Sequence, residues 1–173
     1  MGIMVIAYPE ISKEDLNRIE NFREKNDRYF NIIRPHFTIV FPVYDLKQKD
    51  FIDHVKKISD KFSKINFTLR SAVTVKDSFS DYWDVLLTPD DGSSRIRKLH
   101  DALYTGILIT ELRMDIPYIP HMTVGNDIDA FQCYNLVNEL NNADIAVKGA
   151  IKRLSIAWYD GKSLENIEDI ELK

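Results

Sequence analysis

Apolar positions along the chain alternate between the strand period and the helical period, and the order in which they do so repeats. Gly2 to Tyr8 is a continuous apolar run that reads as a buried strand ended by Pro9. Ser12 then caps a helix in KEDLNRIENFREK, where Leu16, Ile19 and Phe22 recur at helical spacing. RPHFTIVFPV returns to a strand pattern, punctuated by Pro35 and Pro42, and Phe51, Val55, Ile58 and Phe62 then form the stripe of a second amphipathic helix. INFTLRSAVTV alternates and is rich in β-branched residues, which predicts a long strand before a turn between Asp77 and Asp81.

The second half runs through the same order. YWDVLLTP is a strand ended by Pro89, Asp91 and Gly92 open a helix through SSRIRKLHDALYTGI, and PHMTVG is a short strand. A helix over DIDAFQCYNLVNELNN, a strand over DIAVKGAIKRLSIAWYDG and a last strand near ENIEDIEL complete the chain. Pro9 answers Pro89 at an offset of 80, His36 answers His121 at 85 and Asp77 answers Asp160 at 83. The expected fold is therefore α+β: a bilobal, pseudo-two-fold duplication of β-α-β-α-β units, approximately 1–78 and 79–173, within one domain spanning 1–173. Two antiparallel sheets should face a central groove, with helices on the outside.

Composition narrows the setting. The chain has 173 residues, 45% hydrophobic, and a formal charge of −4, which suits one domain with a real core. That charge argues against a protein gripping duplex DNA through many phosphates. The apolar opening has no basic leader and no stretch is long enough to span a bilayer, so neither a signal peptide nor a membrane role is expected. The lone Cys133 cannot pair within the chain, which suits a cytoplasmic protein, and its helical neighbours suggest an inert buried thiol.

The candidate chemistry lies in two matching segments, Arg34-Pro35-His36-Phe37-Thr38-Ile39 and Ile119-Pro120-His121-Met122-Thr123-Val124. Strand alternation puts His36 and Thr38 on one face and Phe37 and Ile39 on the other, and likewise separates His121 and Thr123 from Met122 and Val124. Each imidazole and its hydroxyl would stand about 6.6 Å apart, within reach of oxygens of one phosphate-sized group. Two such pairs brought together could serve in-line displacement at phosphorus: one histidine takes a proton from the attacking group, the other gives one to the leaving oxygen, and the threonines hold non-bridging oxygens. No metal or other cofactor is called for, since no two histidines fall at metal-ligand spacing.

The two P-H-x-T segments, their order and their separation resemble the two-histidine (2H) phosphoesterase superfamily, which includes bacterial 2′-5′ RNA ligase-like proteins and cyclic phosphodiesterases. The likeness covers nearly the whole chain. It implies a bilobal fold with two antiparallel sheets around a groove, and metal-independent chemistry on 2′,3′-cyclic or 2′-5′ phosphodiester bonds of an RNA 3′ end or a small nucleotide. By motif it makes His36 the acid and His121 the base. The chain departs from the family at Lys76-Asp77-Ser78-Phe79-Ser80-Asp81, whose acidic residues would not welcome a long RNA.

Two further residues are substrate-binding candidates. Arg34 shares strand parity with His36 if the strand runs through Pro35, which would bring its guanidinium to the groove mouth. Tyr159 ends the last long strand and could stack on a nucleobase. His54 and His100, in charged helical stretches, read as solvated. Rival readings are a module that binds a nucleotide without turning it over, and a partner-binding protein in which the histidines are incidental. A monomer is expected.

Overall fold

The computed structural model describes all residues, Met1–Lys173. In chain order the elements are β1 (Gly2–Ala7), β2 (Glu10–Ile11), α1 (Lys13–Asn26), β3 (Phe37–Val43), α2 (Gln48–Ser59), β4 (Ile65–Lys76) and β5 (Trp83–Asp91), then α3 (Ser93–Leu103), a 3-10 turn (Gly106–Glu111), β6 (Met122–Asp127), α4 (Ala130–Asn142), β7 (Val147–Ile151), β8 (Arg153–Tyr159) and β9 (Leu164–Glu171). No helix is long and apolar enough to cross a membrane.

The strands form two antiparallel sheets, ordered β3-β1-β8-β9 and β2-β7-β4-β5-β6. The register carries the duplication residue by residue. Ile6 of β1 stands opposite Thr38, and Leu86 of β5 stands opposite Thr123. On their other sides Ile6 faces Ser155 and Leu86 faces Val73. β1 therefore corresponds to β5, β3 to β6, and β8 to β4. Since β4 belongs to the first half yet pairs with β5, while β8 belongs to the second half yet pairs with β1, the halves have exchanged their closing strands. The same register makes Tyr159, not Asp160, the counterpart of Asp77.

The elements depart from the sequence expectation in three ways. The predicted strand 144–161 is two strands in different sheets: β7 pairs with β2 and β4, β8 with β1 and β9. Between them the Lys152 carbonyl leaves both ladders and accepts from Leu172 N (2.7 Å). β5 continues past Pro89 to Asp91, because Pro89 sits at a register shift against Leu69 where a missing N–H costs no regular ladder bond. Strands β3 and β6 begin at Phe37 and Met122, just after the histidines.

Two helix starts follow from the residues that precede them. Ser12 Oγ accepts from Asp15 N (3.0 Å), as the sequence predicts. Gly92 opens α3 at φ +84°, and a Cβ there would collide with the Asn66 carbonyl, so glycine is required. One main core joins the inner faces of both sheets, with Phe37 of β3 and Phe67 of β4 meeting edge to face at 5.0 Å. A second, small cluster of Met4, Ile6 and Ala157 lies on the other face of the four-stranded sheet, where the cleft is.

Candidate active site

Strands β3 and β6, which follow the two histidines, are each the edge of their sheet. His36, Thr38, His121 and Thr123 all line a single cleft of ≈ 770 Å³. Period-two alternation does what it should: Phe37, Ile39, Met122 and Val124 are buried in the core while the polar partners face the cleft. The two imidazoles are oriented identically. His36 Nδ1 donates to the Arg34 carbonyl (2.9 Å), and His121 Nδ1 donates to the Ile119 carbonyl (2.6 Å). The intervening Pro35 and Pro120 fix φ and offer no competing N–H, so the carbonyl two residues back is free to receive the ring. An Nδ1–H committed to a carbonyl leaves Nε2 with its lone pair and no protein partner.

Burial pushes His36 down to about 4; the Arg34 carbonyl opposes the shift, and the charge of His121 adds to it. His121 is lowered by burial as well. Both rings are thus neutral at pH 7 in the free protein. An anion between them would favour the imidazolium and return a proton to the pair.

Sheet edges leave backbone groups unpaired, and along β3 they are closed by side chains from the other half. Along β3, Tyr118 Oη donates to the Thr38 carbonyl (2.9 Å), His100 Nδ1 donates to the Ile39 carbonyl (2.8 Å), and Phe41 N donates to Tyr104 Oη (3.0 Å). The His100 and Tyr118 rings lie flat on one another at 3.6 Å. His100 is therefore a buried brace, contrary to its expected solvated position, and His54 is also tied down, through Nε2 to the Leu103 carbonyl (2.9 Å). At β6 the first half instead grips a side chain. Asn126 Oδ1 accepts from Arg28 N (3.2 Å) and Asn126 Nδ2 donates to Asp27 Oδ1 (3.0 Å).

Asp27 is the hub of a buried network that the sequence did not disclose. Its Oδ2 accepts from Arg23 Nε (2.8 Å), and Arg23 also reaches Glu20 (2.9 Å) and the Ile33 carbonyl (2.6 Å). Arg23 is 1% exposed and lines the cleft, and this charged residue of α1 is the post on which the loop toward His36 hangs.

Tyr159 lines the cleft, and burial raises its hydroxyl to about 12. Arg34 does not line it. The strand starts only at Phe37, so Arg34 does not share the parity of His36, and its guanidinium lies over the Tyr8 ring at 4.2 Å, with Tyr8 edge-on to His36 at 6.3 Å. Three other arginines line the cleft, Arg23, Arg28 and Arg113, and of these Arg28 is held between the rings of Tyr82 (3.7 Å) and Tyr29 (4.6 Å). Cys133 is buried with Sγ toward the Trp83 carbonyl (3.2 Å), and burial raises its thiol, which fits an inert group.

Asp84, on β5, also lines the cleft, and burial, with Asp77 adding, raises its carboxyl from 3.8 to about 7. The folded state holds this proton more tightly than the unfolded chain does. The resulting stabilisation is complete below about pH 4 and is lost as pH rises through about 7. Asp84→Asn, a permanent mimic of the protonated group, is expected to melt higher than the parent at pH 8 and level with it at pH 3.5; thermal melts across that range check it, and a gap independent of pH would contradict it.

No group of three or more His, Cys, Asp or Glu side chains is arranged to hold a metal ion. Residues 8–163 match the model of the 2'-5' RNA ligase superfamily. A protein of Geobacillus sp. that carries the name phosphoesterase is 22% identical over 149 residues, covering 85% of this chain and 83% of its own. Among solved structures, TT0787 of Thermus thermophilus is similar with a TM-score of 0.63 at 12% identity, over 99% of this chain and 98% of that one. E. coli LigT complexed with 3'-AMP is similar with a TM-score of 0.57 at 13% identity, again over 99% and 98%. Other LigT structures hold NADP+, ATP or phosphate. With nine-tenths of its length matched and the two-sheet fold shared, the chain belongs to the 2'-5' RNA ligase superfamily of two-histidine phosphoesterases.

Proposed function

We propose that this protein is a metal-independent phosphoesterase that opens 2′,3′-cyclic phosphates or cleaves 2′-5′ linkages at RNA ends or in small nucleotides. The observation that carries the reading is the pair of equivalent histidine and threonine sets on one cleft, each ring locked so that Nε2 is the free nitrogen. In hydrolysis, His121 Nε2 takes a proton from water as its oxygen bonds to phosphorus. The P–O bond to the ribose oxygen breaks, and that oxygen takes a proton from His36. The Thr38 and Thr123 hydroxyls donate to the non-bridging oxygens as charge builds on them. Arg28 supplies positive charge at the cleft wall, and Tyr159 offers a ring to a base. LigT binding 3'-AMP and phosphate supports a nucleotide as the occupant.

The protonation chemistry fixes a pH dependence. Catalysis needs one imidazole neutral and the other charged, and both are depressed in the free protein. The bell for kcat/KM, which reports the free protein, is expected to peak below pH 6.5, and that for kcat, measured with the anion bound, at higher pH. Assay of 2′,3′-cyclic nucleotides and 2′-5′ dinucleotides in excess chelator tests the function itself. Turnover with the two bells displaced in that sense supports it. Saturable nucleotide binding without any product would instead make the cleft a binding module.

A further inference from the structure

We propose that Asp84 is a specificity-determining residue of the cleft: its carboxylate accepts a hydrogen bond from a donor group on the nucleoside part of the substrate and keeps a second phosphate out of that end. The proposal rests on the reading of the cleft as a nucleotide phosphoesterase site. β5 is a central strand, and the register makes Asp84 the counterpart of Met4 in the other sheet, since Met4 pairs with Ala157 as Asp84 pairs with Val75. Both line the cleft. A near-symmetric cavity thus carries an apolar group on one wall and a carboxyl on the other, in a strand position where aspartate is disfavoured on propensity alone.

Nothing in the protein answers that carboxyl. It makes no hydrogen bond or ion pair, yet its oxygens are not among the sealed, partnerless atoms, so they open onto the cleft. The cation facing it, Arg28, is engaged elsewhere: Nη2 donates to Tyr29 Oη (2.6 Å) and Ser80 Oγ (3.3 Å) and lies 3.6 Å from Asp77 Oδ2. Asp27, on the end of α1, is saturated by Arg23, Asn126 and Tyr29 N. The remaining titratable neighbours are Asp77 in the β4–β5 turn, Tyr29, and Cys133 of α4. An ionised carboxylate can only accept, so its complement is an exocyclic amine or a hydroxyl, and a phosphate brought there meets like charge.

The test is equilibrium binding by calorimetry at pH 8 for the parent, Asp84→Asn and Asp84→Met, with thermal melts to verify folding. Asp84→Met installs the residue found at the equivalent position. The probes are cytidine 3′-phosphate, uridine 3′-phosphate, 5′-deoxycytidine 3′-phosphate and cytidine 3′,5′-bisphosphate. The parent should bind the first at least about tenfold more tightly than the bisphosphate, and by a similar factor over either the uridine probe, if the amine is read, or the 5′-deoxy probe, if the hydroxyl is. Asp84→Met should erase both preferences, and Asp84→Asn should admit the bisphosphate. Preferences that survive in Asp84→Met, a parent that favours the bisphosphate, or no binding of any probe would overturn the proposal. Turnover of cyclic nucleotides is measured on the same samples. Asp84-dependent binding without turnover would sink the phosphoesterase reading and leave this one standing.

Discussion

Removing either imidazole, in His36→Ala or His121→Ala, is expected to lower kcat/KM on a 2′,3′-cyclic nucleotide by about 10²–10⁴-fold, the range of a single general acid or base. The double variant should fall little below the singles, because the two act in one step. The melting temperature should hardly move: both rings stand in the cleft rather than in the core, and each gives up one hydrogen bond to a carbonyl. The substrate separates the roles. With a phosphodiester whose leaving group needs no proton, such as a nitrophenolate, His36→Ala should recover much of the loss and His121→Ala none. Recovery in His121→Ala instead would exchange the acid and the base, and normal turnover in either single variant would remove that histidine from the chemistry.

The largest expected loss of stability is far from those rings, at Asp27→Ala. Arg23 and Asp27 are 2% and 1% exposed in their side chains and 2.8 Å apart, and the substitution leaves a guanidinium buried without its main partner. Breaking such a pair costs about 3–5 kcal/mol, which in a chain of this size lowers the melting temperature by roughly 10 °C. The same change frees Asn126 and the Tyr29 amide, so the β6 edge and the loop toward His36 loosen together. A melt within about 2 °C of the parent would show that water or Glu20 takes over the guanidinium. Activity should drop further than the folded fraction does, since the network positions both motif strands.

What was legible in the sequence was what is local. Pro-His-x-Thr on a strand has a period of two, and any strand would place His36 with Thr38 and His121 with Thr123. The offsets near 80 and 85 also survive, since they mark β1 against β5 and β3 against β6. The exchange of β4 and β8 between sheets was not legible, because hydrogen-bond partners of a strand are chosen by distant chain. For the same reason the run 144–161 looked continuous: its break at Lys152 is set by Leu172, which caps the carbonyl there. Arg34 was misplaced by carrying strand parity through a proline, where the chain instead turns its carbonyl back onto His36. His100 read as solvent-facing because its buried partners, the Ile39 carbonyl and the Tyr118 ring, lie elsewhere along the chain. Asp84 could have been found. Sliding the first half by 80 sets it against Met4, and alternation with Leu86 points it into the groove.

The proposed chemistry needs two imidazoles addressing one phosphoryl group. Nitrogen-15 spectra of the histidine side chains, recorded while 3'-AMP is added, test this most directly. His36 and His121 should both shift with a single dissociation constant, keep the proton on Nδ1, and share one added proton between their Nε2 atoms as the nucleotide binds. Movement of only one ring, or of neither, at saturating nucleotide would contradict it.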